Sequence, residues 1–535
     1  MQIGAVDYLI IGIYFVFVIG VGFALKKQMV SGEDFFLAGH KIPSWVTGLA
    51  FLSANLGAIE VMGMAANGAQ YGVMTAHFYW LGAIPAMVFL ALFMMPFYYC
   101  SKVRSVPEYL KMRFNEPTRA LNAISFAVMT VLMSGINLFA MADVFQLLLH
   151  WDMNISIFIA AGVVLAYTYL GGLTSSIYNE VLQFFLIVFG LLPISIIGLY
   201  RVGGWEGLVS HFPKETYAHL WSYTATANNS MGIDWIGLVS GLGFVLSFGY
   251  WCTDFLVIQR ALAAENLKAA QRTPLIAAFP KVFFPLLTVL PGLIALVLVP
   301  ELGKDSLPEH SFNQAMPLLL SKLYPTGMLG VGLTAMLASF MSGMAGNVTA
   351  FNTVWTYDLY QSYIAKDKSD EHYLKMGHIS TAGGILISIA TAYLVSGFPS
   401  IMDYMQLIFT FFNAPLFATF LLGMFWKRCT PWGAFWGLVT GTLTAAIHYL
   451  MTDSFHYPSV MAANFWRATF AWLACFVFTI IISFFTKPKP DSELVGLVYG
   501  VSEIPNEGKD VWYKSPLFLG ILVLVVTIVA NIFFW

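Results

Sequence analysis

Residues 51–72 read FLSANLGAIEVMGMAANGAQYG. The stretch is long enough to cross a bilayer, for which a helix needs about 20 mainly apolar residues. Yet it carries Ser53, Asn55, Glu60 and Asn67, with Gly57, Gly63 and Gly68 threaded between them. A charged side chain at a helix centre costs about 2.5–3.5 kcal/mol on insertion scales, so its presence there needs a reason. Glycine and serine loosen a helix, and unwound backbone at membrane depth is tolerated only where it lines a cavity enclosed by protein. The stretch therefore reads as a broken helix beside a binding site.

The rest of the chain fits that reading. Of 535 residues, 59% are hydrophobic and 10% charged, and the mean hydropathy is +0.75, the composition of an all-α polytopic membrane protein. A net charge of −2 gives no footprint for nucleic acid. Cys100, Cys252, Cys429 and Cys475 have no metal or redox spacing, and no H-E-x-x-H marks a membrane metalloprotease. The first apolar run is preceded by no Lys or Arg and followed by Lys26-Lys27, so it reads as a retained helix rather than a secretory signal.

Apolar windows broken by Gly, Pro and charge predict fourteen spans, near 5–26, 44–67, 74–100, 119–150, 155–171, 174–202, 233–255, 272–300, 326–362, 374–396, 400–426, 431–452, 463–486 and 514–535. With the N-terminus outside, 20 of the 26 Lys and Arg fall on inner loops. Only Arg201, Lys214, Lys304, Lys322 and Arg467 fall outside, and Lys281 lies within a span. The positive-inside rule then places both termini outside. The longest connecting pieces, 203–232, 301–325 and 487–513, are too short for a soluble core of their own.

A second loosened stretch, Gly241 to Trp251 (GLGFVLSFGYW), follows five spans after the first. Interrupted segments at matching places in two halves point to a secondary transporter built from inverted repeats; glycine for close helix packing is the alternative. Five spans per repeat divide the chain into a leading helix and inner loop (1–43), a first repeat (44–202), an outer loop (203–232), a second repeat (233–426) and three trailing helices with an inner loop (427–535). Among the ionisable residues in or beside spans, Glu60, Lys281 and Asp403 read as functional. Asp143 and Glu180 stay open between a buried structural pair and ion handling, while Asp254 and Asp358 read as caps near the inner surface. Ser339, Ser342 and Gly346 fall on one helical face. That stripe either permits close packing or offers oxygens to a hard monovalent cation.

Several short motifs carry a resemblance: Glu33-Asp-Phe-Phe-Leu-Ala-Gly39, Ser53-Ala-Asn-Leu-Gly57, Val106-Pro-Glu-Tyr-Leu110, Tyr250-Trp-Cys-Thr-Asp254, Gln259-Arg260, Asp403-Tyr-Met-Gln406 and Phe425-Trp-Lys-Arg428. Over nearly its whole length the chain resembles the sodium/solute symporters, and within them the sodium/glucose and sodium/galactose cotransporters. The resemblance implies a LeuT-type fold of two five-helix inverted repeats, with one leading and three trailing helices, and transport by alternating access. It implies a sodium site at the carbonyls of Ser53 and Leu56 with Ser339 and Ser342. It maps solute binding onto Asn55, Lys281, Gln406, Tyr250 and Trp251.

The chain departs from that pattern at three places. Where the family carries a glutamate in Phe-Glu-Trp, this chain has Tyr79; a Gln or His after the asparagine is Glu60; the second hydroxyl of the sodium pair is Gly343. Glu60 is expected to take over the acceptor role while Tyr79 closes the vacated space, against the alternative that Glu60 only neutralises Lys281. Asn347 or a water is expected to fill the gap at Gly343. The expected protein is a plasma-membrane symporter, in a bacterial inner membrane, that couples sodium to a monosaccharide or polyol. It is no enzyme and needs no cofactor beyond the coupling ion. Its partners are the solute, sodium and the lipid bilayer, with no nucleic acid. An amino acid, a carboxylate or an inorganic anion would keep the fold and change the cargo, and a solute sensor would change the class.

Overall fold

The computed structural model describes residues 3–25, 36, 38–304, 311–398, 400–501 and 511–535. Lys26, Lys27 and Lys509, and Glu33, Asp34, Phe35 and Leu37 of the first shared motif, lie outside the described residues. Within them the chain is helical throughout, with a single isolated bridge between Ile42 and Ala264.

Nine helices among the described residues are long and apolar enough to cross a membrane, or up to eleven if each of two bent pairs is one span. Most bounds fall within a few residues of expectation, as for Glu116–Leu149, Met328–Ile364 and Ile401–Phe425. The local chemistry explains where they start. Asn115 caps one helix through Thr118 N (3.0 Å), and Ser400 caps another through Met402 N (3.2 Å). The two spans expected around Gly171-Gly172 run into one another as Met153–Arg201 and are divided where the backbone leaves helical geometry at Gly172 (φ 52, ψ −148). That backbone conformation is open essentially to glycine alone.

Burial sorts the helices by depth. In the most apolar window of Met328–Ile364, 89% of residues are buried, against 17% for Pro516–Phe533. Met328–Thr353 therefore lies at the centre, packed on Met153–Arg201 and Glu116–Leu149, and Asp370–Val395 closes against the same pair. This group forms a cradle. Ser44–Asn55 rests between it and Leu267–Val282, while Pro431–Leu450 and Val460–Phe485 pack together against Ile401–Phe425. Phe189, Leu386 and Val525 stand exposed on outer helix faces, as in a polytopic membrane protein rather than a water-soluble one.

The first expected break is present: Ser44–Asn55 and Ile59–Ala76 meet at 63°. The second is displaced. Gly241 to Trp251 stays helical, wound as a π-helix over Leu238–Leu246 and as an α-helix over Ser247–Thr253. The chain opens only at Asp254 (ψ 120), whose carboxylate accepts Leu256 N at 2.9 Å and starts the next helix, the capping role expected of it. A second bend, of 51°, lies between Leu267–Val282 and Phe284–Leu298, within what was expected as one span. Pro285 causes it, since proline lacks the N–H and its ring clashes with the carbonyl four residues back, that of Lys281.

Candidate functional site

At the first break, Leu56 leaves helical geometry (φ −76, ψ 49) and its N–H is shared between Leu52 O and Ser53 O at 3.2 and 2.8 Å. A broken helix leaves orphan carbonyls on one side and orphan amides on the other. Here both sets are met by other helices. Ser342 Oγ donates to Ser53 O (2.9 Å) and lies 3.1 Å from Ser53 Oγ, and Ser339 Oγ donates to Leu56 O (2.6 Å). Ala58 N donates to Asn137 Oδ1 (2.9 Å). The four groups expected to hold sodium thus converge, fully buried, between the broken helix and Met328–Thr353. Oxygens from carbonyls and hydroxyls are the ligands a hard monovalent cation takes.

Of the two expected fillers of the gap at Gly343, Asn347 engages that residue's backbone. Asn347 turns back and donates to the carbonyl of Gly343 itself (2.9 Å). The space beside Gly343 belongs to Gly57 and Asn137: a Cβ on Gly343 would stand 2.7 Å from Gly57 Cα and 2.8 Å from Asn137 Oδ1.

A cavity opens beside the break, and all seven expected solute residues line it: Asn55, Glu60, Tyr79, Tyr250, Trp251, Lys281 and Gln406. Glu60 Oε1 and Lys281 Nζ form an ion pair at 2.6 Å. Their placement follows from the two bent spans. Glu60 sits in the first turn of one half-helix, where free amides favour an anion, and Lys281 in the last turn of another, where free carbonyls favour a cation. Trp80 Nε1 caps the latter end by donating to Val282 O at 2.8 Å. Tyr79 donates to Glu60 Oε2 at 2.5 Å and lies 2.8 Å from Thr288 Oγ1. Glu60 therefore does pair with Lys281, and Tyr79 is bonded to it rather than merely filling space. Two of the roughly four lone-pair directions of the carboxylate are used by these bonds.

The remaining wall is aromatic and amide. Lys281 Nζ donates to Asn55 Oδ1, and Asn55 Nδ2 donates to Tyr250 Oη at 3.0 Å. The ammonium also lies 4.7 Å from the Trp251 ring centroid and 5.4 Å from that of Phe284, within cation–π range. Trp251 stacks on Phe51 and Tyr250 on Phe409, with centroids 5.6 and 5.1 Å apart. The buried Gln406 Oε1 has no protein partner among the described residues.

The other membrane carboxylates lie off this cavity, except that Asp254 lines it. Glu180 pairs with Arg260 (2.5 Å), and Ser176 donates to the same carboxylate. Asp143 accepts from Gln314 Nε2 (2.7 Å), so Asp143 and Glu180 each have a separate partner. Asp403 starts a helix beneath Ser400, and Asp358 approaches Arg119 at 3.9 Å. Asn137, Ser247 and Phe409 line the cavity without having been singled out. The signal for Asn137 was present: an amide near the middle of a 34-residue apolar helix.

A helix broken beside a cavity lined by charged, amide and aromatic side chains, within a bundle of apolar helices, fits the plan of secondary transporters. A solved structure, a substrate-bound outward-open state of a Na+-coupled sialic acid symporter, shares this fold with a TM-score of 0.77 at 20% identity, covering 91% of this chain and 99% of that one. The nucleobase-cation symporter Mhp1 shares it more distantly, with a TM-score of 0.53 at 11% identity over 86% of this chain and 96% of that one. Residues 35–441 match the model of the sodium:solute symporter family, and the chain belongs to that family. It is 30% identical to sodium/glucose cotransporter 1 of Ovis aries over 95% of this chain and 82% of the relative. It is 29% identical to sodium/myo-inositol cotransporter 2 of Oryctolagus cuniculus over 85% and 71%. It is a multi-pass membrane protein and a sodium-coupled symporter of a small solute, not an enzyme.

Proposed function

We propose that the solute is neutral and polyhydroxylic, a monosaccharide or polyol, bound by Asn55, Glu60, Tyr79, Tyr250, Trp251, Lys281 and Gln406. The observation that carries this is the Glu60–Lys281 pair on the cavity wall. An anionic solute would compete with Glu60 for Lys281 and strand a buried carboxylate, and a cationic one would strand the ammonium. A neutral polyol can accept from Lys281 and donate to Glu60 while the pair stays intact. Its C–H face suits the rings of Trp251 and Tyr250, and Gln406 offers a spare acceptor. The names of the relatives, cotransporters of glucose and of myo-inositol, point the same way.

Sodium is held by the carbonyls of Ser53 and Leu56 with the hydroxyls of Ser339 and Ser342. Because these groups belong to two helices, the ion favours the arrangement in which both are together. The topology we propose has fourteen spans with both termini outside, in a plasma membrane, with inverted repeats at 44–202 and 233–426. The helices Ala5–Val21, Met153–Ala166 and Pro431–Leu450 complete the count, and the loop charges support the orientation. A thermal-shift panel of sugars, polyols, amino acids and carboxylates, with sodium or choline, tests the assignment. The expected result is a sodium-dependent shift with a sugar or polyol, followed by uptake of that compound into proteoliposomes. A sodium-dependent shift produced only by an acid or amino acid refutes it.

A further inference from the structure

Asn137 belongs neither to the broken helix nor to the serine-bearing one, yet it meets both where they cross. It is 3% exposed, near the middle of Glu116–Leu149. Its amide donates to Met133 O in its own helix (3.1 Å), which fixes the orientation of the carboxamide, and its Oδ1 accepts Ala58 N (2.9 Å). Ala58 is two residues beyond Leu56, whose carbonyl faces Ser339. A Cβ on Gly57 would come within 2.6 Å of Asn137 Oδ1, and one on Gly343 within 2.8 Å of the same atom. The carboxamide fits only because both neighbours lack side chains.

We propose that Asn137 is the positioning residue of the cation site: it occupies the space left at Gly343 and anchors the first amide beyond the break, so that the carbonyls of Ser53 and Leu56 stay turned toward Ser339 and Ser342. This rests on the sodium site described under the proposed function. Glu60 N and Val61 N both turn to Gly57 O (3.1 and 3.2 Å) within their own half-helix, whereas Ala58 N reaches Asn137 on another helix. Asn137 also lines the solute cavity, together with Gly57, Gly343 and Asn347. One carboxamide therefore touches the cation site through backbone and the solute site directly. It also ties the break to Glu116–Leu149, a member of the cradle on which the broken helix rests.

The test uses the purified full-length protein and titrates sodium, against choline, in the solute-induced thermal shift. Asn137→Ala leaves Ala58 N without its acceptor and should raise half-saturating sodium about tenfold. Because Asn137 also lines the solute cavity, solute affinity at saturating sodium should fall as well, but by a smaller factor than sodium affinity does. Asn137→Asp keeps an acceptor for Ala58 N and adds negative charge near the cation but loses the donor to Met133 O, so its half-saturating sodium should rise well short of tenfold; this variant carries the test if Asn137→Ala does not fold. A merely structural asparagine would lower the melting temperature of both variants in choline and leave half-saturating sodium in place. That outcome, or an Asn137→Asp variant whose half-saturating sodium rises about tenfold or more, overturns the proposal. An unaltered protein indifferent to sodium overturns the sodium-site reading and this one with it. Sodium dependence in the unaltered protein, with no shift in Asn137→Ala, overturns this one alone.

Discussion

Replacing Lys281 by Met removes the ammonium from beneath Glu60 and leaves a carboxylate that is 8% exposed with Tyr79 as its remaining partner. Breaking a buried ion pair by deleting one member costs about 3–5 kcal/mol. Replacing Glu60 by Gln is milder. The amide oxygen still accepts from Lys281, and the ammonium keeps Asn55 and the face of Trp251, so the loss should be about 1–3 kcal/mol. With both replaced, no charge is stranded. The double variant should then unfold at a higher temperature than Lys281→Met alone, with a coupling of about 2–4 kcal/mol between the sites, inside the range measured for close charge pairs. The assay is unfolding of detergent-purified protein without solute, followed by tryptophan fluorescence, for the four members of the cycle. Solute binding is measured in parallel and should be lost wherever Lys281 is absent. Two results would refute the reasoning: additive losses in the double variant, or Lys281→Met unfolding at the temperature of the unaltered protein.

Ser342→Ala removes a hydroxyl that faces both Ser53 O and Ser53 Oγ. Half-saturating sodium for uptake should rise about tenfold or more, while stability in sodium-free buffer falls by only about 1 kcal/mol, the net worth of one hydrogen bond. Tyr250→Phe strips Asn55 Nδ2 of its acceptor, so solute affinity should fall about 5–30-fold in a binding isotherm, with the ring stack on Phe409 kept. Gly343→Ala forces a Cβ to 2.7 Å from Gly57 Cα. Backbone must shift, and we expect a loss of about 1–3 kcal/mol in thermal unfolding together with weakened sodium dependence.

Much of the architecture was legible because the bilayer imposes simple rules. Apolar length sets the spans, and the polar residues of 51–72 expose the first break. The second was misplaced because glycine was read as unwinding when Gly241 and Gly249 in fact meet backbone: Cβ atoms there would stand 2.5 Å from Phe465 O and 2.9 Å from Asn413 O. They serve close packing. The bend that holds Lys281 was written in Pro280 and Pro285, two prolines inside one apolar run. Glu60 and Lys281 stood out as charges inside apolar spans, whereas Asn55, Tyr250, Trp251 and Gln406 were named through the family resemblance, which composition and spacing alone do not contain. What no spacing rule could supply is that Glu60 and Lys281, 221 residues apart, meet at 2.6 Å, or that the vacancy at Gly343 is met from a third helix by Asn137.

The break after Asn55 also has an electrical meaning. Ser44–Asn55 has 12 residues and so rises about 18 Å, roughly half of a hydrocarbon core about 30 Å thick. A cation held at Ser53, Leu56, Ser339 and Ser342 would have traversed roughly half of the membrane field on its way in. A full crossing is worth about 2.3 kcal/mol per charge for each 100 mV, so the approach alone carries about 1.1 kcal/mol. Membrane potential would thereby tune how tightly the ion is held, by about sixfold per 100 mV. A cell hyperpolarised by about 100 mV would half-fill the site at about one-sixth of the sodium concentration otherwise needed.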